Sequence, residues 1–73
     1  MRITAEYENQ DRVKLTTLDG ETIVGMSLQA DEPTDYDIGK GFNEYSIAIN
    51  TDDGQFFVFY ESQIASIEVL SEE

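Results

Sequence analysis

Apolar and polar residues alternate with a period of two along most of this chain, a spacing that predicts strands rather than helices. From Arg2 to Glu8 the alternation puts Ile3, Ala5 and Tyr7 on one face, a candidate N-terminal strand. Asn9-Gln10-Asp11 interrupts it, and Val13, Leu15 and Thr17 resume it with Lys14 and Thr16 opposite. These stretches are either two short strands or one bent one. Asp19-Gly20 then predicts a tight type I′ hairpin, because that turn needs positive φ at both central residues and Asp-Gly tolerates it. The strand that follows, Glu21 to about Ala30, places Val24, Met26, Leu28 and Ala30 on one face and Ile23, Gly25 and Ser27 on the other. A glycine inside a strand marks a bend, a bulge or the close approach of another backbone. Gly25 stands where a small barrel has to bend its second strand.

Residues 31–42 break the pattern. Asp31, Glu32, Asp35 and Asp37 mix there with Pro33, Gly39 and Gly41, which reads as a mobile acidic loop. Alternation returns from Asn43 to Asn50, with Tyr45, Ile47 and Ile49 on one face and Ser46 and Ala48 on the other. Thr51-Asp52-Asp53-Gly54 supplies a turn, Gln55 to Tyr60 the most apolar strand, and Ile64 to Leu70 the last one after a short Glu61-Ser62-Gln63 connection. The tail Ser71-Glu72-Glu73 is expected to fray. No helix of useful length and no internal repeat is predicted. The expected fold is all-β: a small, strongly bent five-stranded antiparallel barrel, with residues 2–8 as a candidate extra strand. Residues 1–73 form one domain on this reading, since so short a chain buries only about 60% of its extended surface.

The fourth main strand is apolar on both faces, with Phe56, Val58 and Tyr60 on one and Phe57 and Phe59 on the other. A barrel interior takes one set. Assigning Phe56, Val58 and Tyr60 to it leaves Phe57 and Phe59 to meet the acidic loop, residues 1–8 or a neighbouring subunit. Two rings left in water would forgo about 1.5–3 kcal/mol each, and a subunit contact through Phe57 and Phe59 is the favoured cover.

Two stretches carry a family resemblance. Leu15-Thr16-Thr17-Leu18-Asp19-Gly20-Glu21-Thr22-Ile23-Val24-Gly25-Met26-Ser27-Leu28 is similar to the first signature of the Sm and Sm-like proteins, a strand, a tight turn at Gly and a second Gly five positions on. Val58-Phe59-Tyr60-Glu61-Ser62-Gln63-Ile64-Ala65-Ser66-Ile67-Glu68-Val69-Leu70 resembles the second. The resemblance covers about residues 13–70 and implies an SH3-like (Sm-like) barrel that assembles into rings, with Glu61 near the pore. The family's RNA-reading residues are degraded. Tyr60-Glu61 stands where an Arg-Gly pair helps bind bases, and Phe42-Asn43 matches only loosely the site of a base-reading Asn. Phe42, Asn43, Tyr60 and Glu61 are therefore the candidate nucleic-acid or pore contacts.

Charge changes the picture further. Sixteen acidic residues face four basic ones, a net charge of -12 that repels phosphate backbones and anionic lipid. Nucleic acid is thereby disfavoured as a partner, because its binding rests on Lys and Arg displacing counterions. A rival reading gathers Arg2, Arg12 and Lys14 on one rim, with Tyr60 or Phe42 stacking a base. A third makes the acidic surface a decoy for a basic protein.

With no His and no Cys, neither a Ser-His nor a Cys-His pair can be assembled, so an enzyme is not expected. Asp35-Tyr36-Asp37-Ile38-Gly39 and Asp52-Asp53 look like candidate hard-metal ligands, yet the first lacks the distal Glu of a calcium loop and the second is turn chemistry. No cofactor or metal is expected. The longest apolar run, Phe56 to Tyr60, falls far short of the roughly 20 residues that cross a bilayer, and no secretory signal is visible. The expected setting is cytoplasmic, the expected partner another copy of the chain, with a different protein as the alternative.

Overall fold

Val13 and Leu15 alternate with Lys14 and Thr16, and the computed structural model, which describes residues 1–70, buries the first pair completely and leaves Lys14 in solvent. The tail Ser71-Glu72-Glu73 lies outside the described residues. Five strands follow the predicted order: β1 (Val13–Thr17), β2 (Thr22–Ser27), β3 (Ser46–Thr51), β4 (Phe56–Tyr60) and β5 (Ile64–Val69). All pair antiparallel in one sheet of order β4-β3-β2-β1-β5, a barrel-like all-β fold in which the last strand returns beside the first. The core lies on its concave side and consists of Ile3, Val13, Leu15, Ile47, Ile49, Ile64 and Ile67.

Gly25 lies directly against the main chain of β3, the close approach that a bent second strand needs. It pairs with Val13 on one side and Thr51 on the other, and a Cβ there would sit 2.2 Å from the Asn50 carbonyl oxygen and 2.8 Å from its carbon. The glycine marks close backbone approach, one of the readings its position predicted. Ser27, two residues on, is buried and joins two chain segments. Its Oγ donates to the Tyr7 carbonyl at 2.7 Å and accepts from the Gln10 amide at 2.9 Å.

The two hairpins share one turn. In Thr17-Leu18-Asp19-Gly20-Glu21 the Gly20 amide donates to the Thr17 carbonyl and the Thr17 amide to the Glu21 carbonyl; Thr51-Asp52-Asp53-Gly54-Gln55 repeats both bonds. Each threonine Oγ1 also accepts from the amide four residues on, at 3.1 Å in both turns. Only Gly20 (φ 92) and Gly54 (φ 88) are left-handed in these loops, so Asp19-Gly20 is not the type I′ turn expected. Both are three-residue loops closed by a glycine bulge. The threonine clamp selects this geometry, and the Thr-x-Asp-Gly pattern is a short repeat where none was expected.

Two further expectations are corrected. Residues 2–8 do not make a strand: Ala5–Tyr7 is a 3-10 turn, with Tyr7 donating to the Thr4 carbonyl and Glu8 to that of Ala5. The segment has to turn there, because Ile3 is in the core while Tyr7 and Gln10 are held by Ser27. Inside the acidic loop stands a helical turn, α1 (Asp35–Gly39). A capping box opens it, with Thr34 Oγ1 accepting from the Asp37 amide and Asp37 Oδ2 from the Thr34 amide, each at 3.1 Å. Gly41 in the left-handed region closes it, as Phe42 donates to the Asp37 carbonyl and Gly41 to that of Ile38. None of its residues is buried, so local bonds rather than packing hold it.

Gly25→Ala tests the bend. The added methyl meets a main-chain carbonyl rather than a yielding side chain, and a loss of about 1–3 kcal/mol is expected. Urea unfolding checks it: the midpoint falls while the slope is unchanged.

Candidate functional site

β4 is an end strand of the sheet, with β3 on one side and no strand on the other. The hairpin fixes which way its groups point. Thr51 bonds Gln55 and Glu61 bonds Tyr45, so ladder alternation makes Ile49–Phe57 and Ile47–Phe59 the bonded pairs. The amides and carbonyls of Phe56 and Val58 then face the open edge. At the end of the strand the Tyr60 amide turns to Gln63 Oε1 at 2.9 Å.

The same register assigns the side chains, and it reverses the expected faces. Phe57 and Phe59 lie opposite Ile49 and Ile47, on the core side, where their rings stack at 6.1 Å. Phe56, Val58 and Tyr60 point outward and are 60%, 47% and 49% exposed. The pattern misassigned them because both faces of β4 are equally apolar, whereas the buried Ile47 and Ile49 settle the matter through pairing. Being at an edge, Phe57 and Phe59 are still only half-buried. Phe59 lines a cleft with Thr17, Leu18, Ser62 and Gln63.

On the outer face the residues next inward from β4 are mixed, Ala48 and Met26 apolar and Asn50 polar. Ala48 lies opposite Val58, Asn50 opposite Phe56, and Met26, itself 42% exposed, opposite Asn50. Edge strands of soluble proteins are ordinarily blunted by a charge, a proline or a bulge. Phe56-Phe57-Val58-Phe59-Tyr60 has none of these.

Of the residues expected to contact nucleic acid, Asn43 and Glu61 share a cleft with Arg2 and Tyr45, while Phe42 and Tyr60 are not among its lining. Glu61 is a clamp: its carboxylate accepts from the Ile3 amide at 2.8 Å and from the Tyr45 amide at 3.3 Å, tying the N-terminal segment to the approach to β3. The Tyr45 hydroxyl donates to Glu32 at 3.3 Å, and the Glu32 charge, with desolvation and Glu61 adding to it, raises its pKa above the ordinary 10.0.

Each cation has an acidic or aromatic neighbour. Arg12 pairs with Asp52 at 3.1 Å, Lys40 lies 4.9 Å over the Tyr36 ring, Lys14 stands opposite Glu68 on β1, and Arg2 is in the Glu61 cleft. Arg2, Arg12 and Lys14 thus each have a carboxylate close by. Three of the four carboxylates considered as metal ligands are engaged locally, Asp37 in the α1 cap, Asp52 with Arg12 and Asp53 with the Thr51 hydroxyl. Among the described residues no helix is long and apolar enough to cross a membrane. No family model, curated protein or solved structure matches this chain.

Glu61→Ala is expected to cost about 1–3 kcal/mol, leaving two amides without their acceptor, and to speed hydrogen exchange at Ile3. Glu61→Gln, which keeps one acceptor oxygen, should lose about half as much. Separately, Glu32→Gln removes the largest cause of the Tyr45 shift, so an NMR titration should show that phenol ionising at lower pH than in the parent chain.

Proposed function

We propose that this chain is a non-catalytic assembly module that pairs strands along β4, its own copies included. The observation that carries this is an uncharged, unblunted edge strand whose outward main-chain groups lie beside exposed Phe56, Val58 and Tyr60. A strand laid on that edge gains main-chain hydrogen bonds, touches the outer residues with one set of side chains, and covers the half-buried Phe57 and Phe59 with the other. Phe57 and Phe59 thus belong to the proposed interface from its inner side.

A second copy supplies a suitable strand. β5 is the opposite end of the same sheet, so β4 of one copy against β5 of the next is a head-to-tail contact that continues into a ring or a filament. The antiparallel five-strand sheet with its glycine bend in β2 supports the Sm-like architecture that the two signatures suggest. Four cations among sixteen acids, with Arg2, Arg12 and Lys14 each beside a carboxylate, weigh against an RNA-binding version of it.

Val58→Pro tests the proposal without breaking the fold, because the amide it removes points away from β3 and proline is tolerated on an edge. Chains of net charge -12 repel each other, so sedimentation should be compared at low salt and at about 1 M salt, where screening shrinks the Debye length to about 3 Å. At high salt and about 50 µM the parent chain should sediment as an oligomer and Val58→Pro as a monomer with an unchanged circular dichroism spectrum. A monomeric parent chain in both conditions overturns the pairing of copies along β4, as does association that the proline leaves intact.

A further inference from the structure

Charge around β4 points to a more particular occupant. The strand is an apolar bar about 15 Å long at roughly 3.3 Å per residue, and acidic groups stand at both of its ends. At the Phe56 end lies the turn with Asp52 and Asp53, where Arg12 pairs with Asp52 and Asp53 keeps its carboxylate on the Thr51 hydroxyl. Next to Tyr60 are Glu61, then Glu44, whose carboxylate accepts from the Ser62 amide at 2.6 Å, and Glu32, bonded to Tyr45. Arg2 lies in the Glu61 cleft and is outnumbered. Between these ends, from residue 56 to residue 60, no side chain is charged.

We infer that at ordinary ionic strength the strand β4 accepts comes from a different polypeptide, an extended segment with branched apolar residues at its centre and Lys or Arg at both ends. This rests on reading β4 as a strand acceptor. A second copy is the poorer match. Its β5, Ile64-Ala65-Ser66-Ile67-Glu68-Val69, carries an anion and no cation, and it brings another net -12 with it. At about 0.15 M salt the Debye length is about 8 Å, so charges at the two ends of the bar act on whatever lies directly against them. Lysines placed there turn local repulsion into attraction, while the centre of the partner meets Phe56, Val58 and Tyr60. Charge at the ends sets the choice of partner, and the main-chain ladder sets the mode.

Three fluorescent peptides, with blocked termini, test this against the full chain by anisotropy: Lys-Lys-Val-Thr-Val-Thr-Val-Lys-Lys, its counterpart with Glu in place of Lys, and the segment of residues 64–69. At about 0.15 M salt the Lys-ended peptide should bind at least about tenfold more tightly than either of the others, a preference that shrinks as salt rises. Val58→Pro should abolish its binding. Asp53→Asn combined with Glu32→Gln should remove most of the preference while the fold is retained by circular dichroism. Equal binding of the three peptides, sensitive to Val58→Pro, overturns the cationic preference and leaves the strand acceptor standing. A residue 64–69 peptide that binds as tightly as the Lys-ended one makes a second copy the occupant and overturns the inference. Binding of the Lys-ended peptide that ignores Val58→Pro overturns it too, since attraction to the acidic surface alone then explains the result. Failure of all three peptides, together with a monomer at high salt, overturns the strand acceptor itself.

Discussion

Two backbones meet at Gly25, and the curvature of the sheet depends on that contact. Because no side chain stands between β2 and the Asn50 carbonyl, the sheet can curl there until β1, β3 and β5 aim Val13, Leu15, Ile47, Ile49, Ile64 and Ile67 at one another. A flatter sheet of the same strands would face these residues into water on one side. The curl has a cost at the margins. The strands run out before the sheet closes, so β4 and β5 are left as ends and the rings of Phe57 and Phe59 are covered from one side only.

That geometry sets two tendencies of the chain against each other. An apolar edge favours association, and a net charge of -12 on so small a body opposes it. The carboxylates are also structural fittings. Glu61 holds Ile3 and Tyr45, Glu8 accepts from the Ala30 amide at 2.7 Å, Glu44 from Ser62, and Asp37 caps α1. Acidity is thus spread between local order and long-range repulsion, and of the two end strands of the sheet β4 carries none while β5 carries Glu68.

The parts of the fold legible in the sequence are those where burial is one-sided. β1 and the centre of β3 alternate cleanly, and their inward residues are the ones the pattern names. β4 defeats periodicity because every position is apolar; only the pairing of Ile49 with Phe57, counted back through the Thr51–Gln55 turn, tells inside from outside. Alternation over Ile3, Ala5 and Tyr7 is too short to separate a strand from a 3-10 turn, and what decides it is the distant Ser27. α1 is hidden because its capping box uses Asp37 where Glu or Gln is the familiar partner and its stop signal, Gly41, falls among other turn residues. The interface proposed here divides in the same way. Phe57 and Phe59 were singled out, whereas Met26 and the outward set of β4 follow only from register.

The repeated threonine-clamped turn has a consequence for the order in which the molecule takes shape. Each hairpin closes through contacts between near neighbours in the chain, so each can form quickly and without the other. Pairing of β1 with β5 joins residues from near opposite ends of the domain and is the slow, entropically demanding step. Until it completes, Ile64 and Ile67 are not held against β1, while the hairpin of β3 and β4 already presents its apolar edge.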